Sequence, residues 1–578
     1  MRKFRITASI ILLAGWAGCG RSAPADTVLQ GGRVFTAVPG DAWAEAVAVR
    51  DGHIVYVGSD AEVQPLIGPG TAVIPLDGRL LLPGFIDAHV HPLSDYGLQL
   101  GGQRTKEAIF AAIAVHAAAH PEESWVEGYG WDLSVFPSSG PRREWLDSLV
   151  PGRPAVIRGG DGHSVWANTL ALETAGITRN TRDPEGGRIE RDADGTPSGT
   201  LREAAANLVE RVVPDWTPAK RMAAFENTLA RMRSYGITGF LDAAVDDDAM
   251  LSTYSEAARA GLLTAHAGVS LEVHAGNGSA DVNAIVRSIE ALAATDSFAD
   301  LDARTVKIFV DGVIEAGTAA MLEPYTGTED RGELLIPPAM LDTLSRALHE
   351  AGFQLHFHAI GDAAIRAALD AIAAAGIRAG EPVGARNRAA RAQGPGRPLI
   401  AHAQLVQPAD VPRFANLGAI PVFSALWAYE DAYIRDLTVP RLGPERSAWI
   451  YPLRTLRDAG AVLAFGSDWP VTSIDPLQAI EVAVTRIDPD APPDSGAAFL
   501  PDERIDVASA IEAYTLGSAR ATLRDHETGS LETGKRADLI VLSHDLFAIP
   551  AWQIGDTRVL LTMYGGRVVH RDPDFRDR

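Results

Sequence analysis

Short apolar runs, punctuated by Gly, Pro and Asp, recur through the middle of this chain and alternate with longer Ala-rich stretches of helical character. Eight such runs lie at Gly84–Val90, Thr238–Asp242, Leu263–Leu271, Val306–Val310, Gln354–His358, Leu399–Ala401, Ala419–Phe423 and Val462–Gly466. Strands that alternate with helices specify an α/β fold with a parallel sheet. The repeat therefore predicts a (β/α)8 TIM-type barrel, whose chemistry belongs at the C-terminal ends of its strands. Both ends of the chain carry a different pattern. Alternating runs at Thr27–Val34, Ala44–Val49, His53–Val57 and Thr71–Pro75 are separated by Gly31-Gly32, Asp51-Gly52 and Asp77-Gly78. Similar runs return at Ala537–Leu542, Arg558–Met563 and Arg567–His570. Neither end makes a core alone, so the two are expected to form one small β-sandwich flanking the barrel.

These patterns divide the chain into sandwich segments 19–82 and 521–578 around a barrel at 83–520. The interval 92–234 is too long for one connection and reads as an insertion over the barrel mouth that shapes the substrate pocket. A stretch from Ala379 to Pro398, rich in Arg, Gly and Pro, reads as a mobile surface loop. Length agrees with this division, since 578 residues exceed one barrel, which takes about 250. Net charge narrows the partners. With 74 acidic against 52 basic residues, the formal charge of -22 repels phosphate backbones and argues against nucleic acid. A small molecule is the expected substrate, and a homo-oligomer stays open.

The first residues add a location. Met1-Arg2-Lys3-Phe4-Arg5 precedes a mostly small or apolar run from Ile6 to Ala17, the order of an export signal. The only cysteine, Cys19, follows Ala17-Gly18, so residues 1–18 resemble a lipoprotein signal peptide whose removal leaves Cys19 as the lipidated first residue. Gly20 after the cysteine fits lipoproteins of the outer membrane, with the lipid on Cys19 as the sole membrane contact. Ordinary secretion or a retained anchor are the other readings, and a lone cysteine leaves no disulfide to stabilise an exported fold.

The strand ends carry the candidate chemistry. In Asp87-Ala88-His89-Val90-His91 the alternation of a strand points His89 and His91 to one face, where both imidazoles reach one cation. Lys307 lies in the fourth run of a chain with only five lysines. A buried amine can lose its proton and react with carbon dioxide to give a carbamate, whereas a guanidinium stays charged; a salt bridge to Asp311 is the plainer alternative. His358 and His402 close two further runs, and neutral imidazole is a common zinc ligand. His356 shares the face of His358 but one layer deeper. Asp468, at the last strand end, can bind metal and take a proton from water.

At this point the chain resembles the metal-dependent amidohydrolase superfamily, in the branch that includes N-substituted formamide deformylases. The resemblance runs through Leu82-Pro83-Gly84-Phe85-Ile86-Asp87-Ala88-His89-Val90-His91, Gly130-Trp131-Asp132, the segment from Val306 to Gly312, and His358-Ala359-Ile360-Gly361-Asp362. It continues in His402-Ala403-Gln404-Leu405-Val406, from Gly466 to Val471, and from Gly529-Ser530-Leu531 to Asp538. It implies two divalent metal ions, zinc by preference. His89, His91, Lys307 and Asp468 would hold one, and Lys307 as an N6-carboxylated bridge, His358 and His402 the other. Relatives often carry Glu before the histidine of the sixth strand, where this chain has Ala401.

Such a site implies hydrolysis of a small-molecule amide C–N bond, an N-substituted formamide or another N-acyl or cyclic amide, by metal-activated hydroxide, with Asp468 as base and then acid. The same site would also act on an ester, a lactone or a deamination substrate, and an exported lipoprotein that only binds a ligand is the non-enzymatic alternative. Trp131, Asp132, His163 and Trp166 of the insertion, with Trp427 after the seventh strand, are the candidate substrate contacts. Asp161, Asn168 and Tyr429 lie near them. Packing of the insertion onto the barrel accounts for these aromatics equally well.

Overall fold

The structure, a computed structural model, describes residues 23–93, 97–275, 281–294, 298–379, 396–492 and 497–575. The signal-like segment with Cys19 and most of the Arg-rich loop after Ala379 lie outside the described residues. No helix among the described residues is long and apolar enough to cross a membrane.

The eight expected runs form one parallel sheet in sequential order. Its strands are β1 (Phe85–Val90), β2 (Ile237–Val245), β3 (His266–Glu272), β4 (Leu301–Phe309), β5 (Gln354–Ala359), β6 (Leu399–His402), β7 (Ile420–Phe423) and β8 (Ala464–Phe465). β4 begins five residues before the apolar run, at Leu301 against Val306. Its entry carries Asp302 and Arg304, whose side chains pair with each other at the half-buried lower rim, so no apolar signal marked it. Between strands, helices lay an apolar stripe on the sheet. The helix Pro338–Ala351 starts at a proline, buries Leu341, Leu344 and Leu348 at helical spacing, and stops at Gly352 with φ 99°. It packs beside Asp362–Ala374, which buries Ile365, Leu369 and Ile372 in the same core.

Both chain ends meet in one six-stranded sheet, ordered Arg567–Arg571, Val559–Tyr564, Leu539–Leu542, Leu80–Pro83, Arg33–Phe35 and Trp43–Ala44. A four-stranded sheet of N-terminal segments, with Thr27–Gln30 and Ala46–Arg50 at its centre, faces it. Leu29, Val47, Val49 and Ile54 from one sheet pack with Leu81, Leu539, Val541, Leu561 and Met563 from the other. The insertion builds a further six-stranded sheet from segments between Leu98 and Glu203, with its own core around Trp131, Phe136, Ile157 and Trp166.

Closure of the barrel falls to its shortest strand. β8 has only two residues and pairs regularly with β7 alone. Across the seam to β1, Asp468 N donates to His89 O at 2.7 Å and His91 N to Trp469 O at 2.8 Å. The fully buried carboxylate of Asp87 fills the remaining gap. It accepts from Ser467 N at 2.9 Å, Ser467 Oγ at 2.6 Å and His89 N at 3.2 Å. Burial raises its pKa to about 7 despite the bonds from Ser467 and His89. Asp87→Ala strips these buried donors of their acceptor, and an orphaned buried donor costs about 1–3 kcal/mol. The variant is expected to lose about 2–4 kcal/mol of stability in urea unfolding with an unchanged m-value; a shift within error would remove Asp87 from the closure.

Candidate metal centre

The seam delivers three ligand atoms to one point. His89, His91 and Asp468 each offer a donor atom, all within 4.8 Å of one another. Asp468 Oδ1 lies 3.1 Å from His91 Nε2 and 3.5 Å from His89 Nε2, while its Oδ2 is 3.8 Å from His402 Nδ1. Asp468 reaches this position with φ 55°, and His402 at the end of β6 has φ 68°. Both are left-handed, a conformation disfavoured for residues with a β-carbon and held here by the strand ends around them. Gly466 makes room for the approach: a β-carbon there would sit 2.5 Å from His89 N.

Lys307 points into the same cluster, its Nζ 3.5 Å from His89 Nε2. It does not pair with Asp311, whose oxygens accept from the backbone N–H groups of Ala320, Ile360 and Gly361 at 2.9–3.0 Å. Burial lowers the Lys307 pKa to about 8, against the opposing pull of Asp468, Glu272 and Asp242. About a tenth of the amine is then neutral near pH 7, against a far smaller share for an ordinary lysine. His358 and His402 complete the ring, with centroids 4.7 Å apart and His402 4.9 Å from His89. His356 lies one layer below, its ring 5.1 Å from His89 and its Nδ1 3.1 Å from Ser270 Oγ.

Burial first, then neighbouring Lys307 and imidazoles, holds His89, His358 and His402 well below the usual histidine range, so their rings are neutral. His89 Nδ1, both nitrogens of His358 and His402 Nδ1 are buried with no hydrogen-bond partner among the described residues. Such a set is expensive to fold unless something takes up the lone pairs. A divalent cation takes up one nitrogen of each ring it meets, because neutral imidazole and carboxylate are its ordinary donors. The residues present therefore fit a metal.

Carboxylates stand behind two of the histidines. Asp242 at the end of β2 stands 3.9 Å from His91 Nδ1 and accepts from Tyr254 OH at 2.6 Å. Asp311 stands 3.5 Å from His358 Nδ1.

The sequence profile of the Amidohydrolase family matches residues 72–570. The chain belongs to the amidohydrolase family. It is similar to Protein LONG AFTER FAR-RED 3 of Arabidopsis thaliana, 31% identical over 94% of this chain and 92% of that one. N-substituted formamide deformylase of Arthrobacter pascens is 28% identical, over 94% and 97% of the two chains. A solved structure of an uncharacterized metal-dependent hydrolase from Pyrococcus horikoshii OT3 shares the fold, with TM-score 0.70 and 22% identity over 91% of this chain and 99% of that one. This amidohydrolase is accordingly an enzyme, a metal-dependent hydrolase of carbon–nitrogen bonds.

Its cavity of about 950 Å³ takes in His89, His91, Lys307, His358, His402 and Asp468, together with His163 and Trp427. Trp427 lies parallel to the His402 ring at 5.5 Å, and its Nε1 donates to Thr472 Oγ1 at 3.0 Å. His163 Nδ1 meets Glu203 Oε2 at 2.8 Å. Burial opposes charge on His163, but Glu203 and then Asp161 and Asp311 outweigh it and raise its pKa to about 9.

The other expected contacts went elsewhere. Trp131 and Trp166 are fully buried in the insertion, donating to Ile157 O and Arg142 O. There they pack against Phe136, with ring centroids 5.7 and 5.8 Å away, as part of an aromatic core. Asp132 caps a turn through Ser134 N and pairs with Arg104, and Asn168 caps the helix that begins at Thr169. Ala401 is buried in β6 between His358 and Val422. Sequence reasoning gave no site role to Asp87, Asp242 or Glu203, and considered Asp311 only as an ion-pair partner of Lys307. Asp87, two residues before His89 on the inward face, and Asp242, at the end of an expected strand, carried a visible signal.

Gly466→Ala should force β8 and His89 apart. Overpacking of this kind costs about 1–3 kcal/mol, and metal content per chain by elemental analysis is expected to fall; wild-type metal content would show that the contact is dispensable.

Proposed function

We propose that this amidohydrolase hydrolyses the C–N bond of a small N-acyl amine, with an N-substituted formamide as the leading substrate, at a centre of two zinc ions. The observation that carries the reading is the Asp468 carboxylate, held among His89, His91 and His402 in the lining of the cavity. His89, His91 and Asp468 would hold one cation and His358 with His402 the other, with Lys307 between them as a carbamate. Cations in such a pair lower the pKa of water from 15.7 to about 7 and polarise a carbonyl group.

The chain's own residues supply the rest. Asp468 takes a proton from the attacking water and returns it to the leaving nitrogen, so one carboxylate serves both halves of the reaction. Phe309, Val313, Leu334, Leu335 and Ile336 give the cavity an apolar wall for an organic substituent. Glu185, Asp246, Glu272 and Glu333 also line it and oppose an anionic one, while Glu210 there is paired with Arg158 at 2.7 Å. The similarity to a formamide deformylase supports the small acyl group. Lys307 with its pKa lowered to about 8 supports the carbamate, since only the neutral amine reacts with carbon dioxide.

Asp468→Asn is expected to lower turnover of an N-formyl amine by about 10²–10⁴-fold, the usual worth of a proton-transfer group, while most of the metal stays bound. Undiminished turnover would dismiss Asp468 from proton transfer. Elemental analysis of the wild type should find about two equivalents of divalent metal, removed by chelator together with activity. Lys307→Arg should drop that content, since a guanidinium cannot form the bridge; full occupancy in this variant rejects the carbamate.

A further inference from the structure

Glu203 joins the insertion to the barrel. It ends the strand Pro197–Glu203 with φ 48°, a left-handed residue with a β-carbon. Strain of this kind survives only where the surroundings over-determine the position. The surroundings here are two hydrogen bonds to one carboxylate. Oε2 accepts from His163 Nδ1 at 2.8 Å, and Oε1 accepts from Thr318 Oγ1 at 2.7 Å. Thr318 follows β4 in the barrel, and its hydroxyl also accepts from Val313 N at 3.0 Å.

Gly312 leaves space for this bridge. A β-carbon there would lie 2.2 Å from Thr318 Oγ1 and 2.6 Å from Glu203 Oε1. The backbone of His163 is fixed as well, because Glu203 N donates to its carbonyl at 2.8 Å and its own N–H donates to Asp161 Oδ1 at 3.1 Å. A carboxylate only accepts, so Nδ1 carries the hydrogen and Nε2 is the atom left for the cavity. Nε2 has no hydrogen-bond partner among the described residues, and the ring lines the cavity 5.2 Å from the ring of His358.

We propose that Glu203, braced by Thr318, is a positioning residue that presents His163 Nε2 to the acyl group of the substrate. The inference rests on the amide reading given above. Through it the insertion adds a polar contact to those at the barrel strand ends.

The test uses the metal-loaded full chain and benzohydroxamate, a planar acyl–nitrogen probe, with affinity read by calorimetry and kcat/KM read on an N-formyl amine. His163→Ala should weaken the probe by about tenfold to a hundredfold, the range of one hydrogen bond to a charged or polarised group, with metal content unchanged. Glu203→Gln should lose less, Thr318→Val less again, and melting curves of these two report whether the fold survives. The deciding readout is the double variant. Glu203→Gln added to His163→Ala should cause no further loss, because positioning has nothing left to act on. Additive losses overturn the positioning role, and full affinity in both single variants overturns the contact. If the wild type turns over no N-acyl amine while probe binding still depends on His163, the amide reading fails and the contact stands. A wild type that does not bind the probe overturns both.

Discussion

The seam between β1 and β8 is the constraint on which the site depends. An eight-stranded barrel must close on itself, yet its last strand here is two residues long. The closing bonds come instead from the turn that follows, through Asp468 N and Trp469 O, and from the Asp87 carboxylate inserted between the strands. Each of these also places a ligand. The bond that stitches Asp468 to His89 brings its carboxylate to both histidines of β1, and Gly466 permits the backbones to come close enough. Closing the barrel and assembling the centre are one event.

Desolvation then sets the chemistry. Inside the barrel mouth it keeps imidazoles neutral and lowers the affinity of Lys307 for its proton. In water the same groups would be partly or wholly protonated and would repel a cation. Asp242 and Asp311 stand 3.9 and 3.5 Å behind His91 and His358. The donor atoms of His89, His91 and Asp468 lie within 4.8 Å of one another, which is the physical meaning of a preformed site.

The insertion works by a different logic. Its aromatic residues are spent on making it a stable layer, with Trp131 and Trp166 buried and their N–H groups bonded to backbone carbonyls. That rigidity lets it hold His163 over the mouth. Glu203 carries the connection, because its carboxylate accepts from one partner in the insertion and another in the barrel.

The sequence by itself determined the run of eight strands and the inward residues of those that carry the candidate ligands. Period-two alternation fixes which face a side chain takes, so His89 and His91, Lys307, and His356 with His358 could be assigned inward from local pattern, and strand ends marked His402 and Asp468. Local pattern says nothing about separations between residues hundreds of positions apart. The partners of Asp87, Asp242, Asp311 and Glu203 were therefore settled only by the tertiary structure, as was the choice between pocket and core for Trp131, Trp166 and Trp427. An aromatic or a carboxylate has the same local signature in either setting, and only the packed surroundings decide whether it meets substrate, a histidine or the inside of a layer.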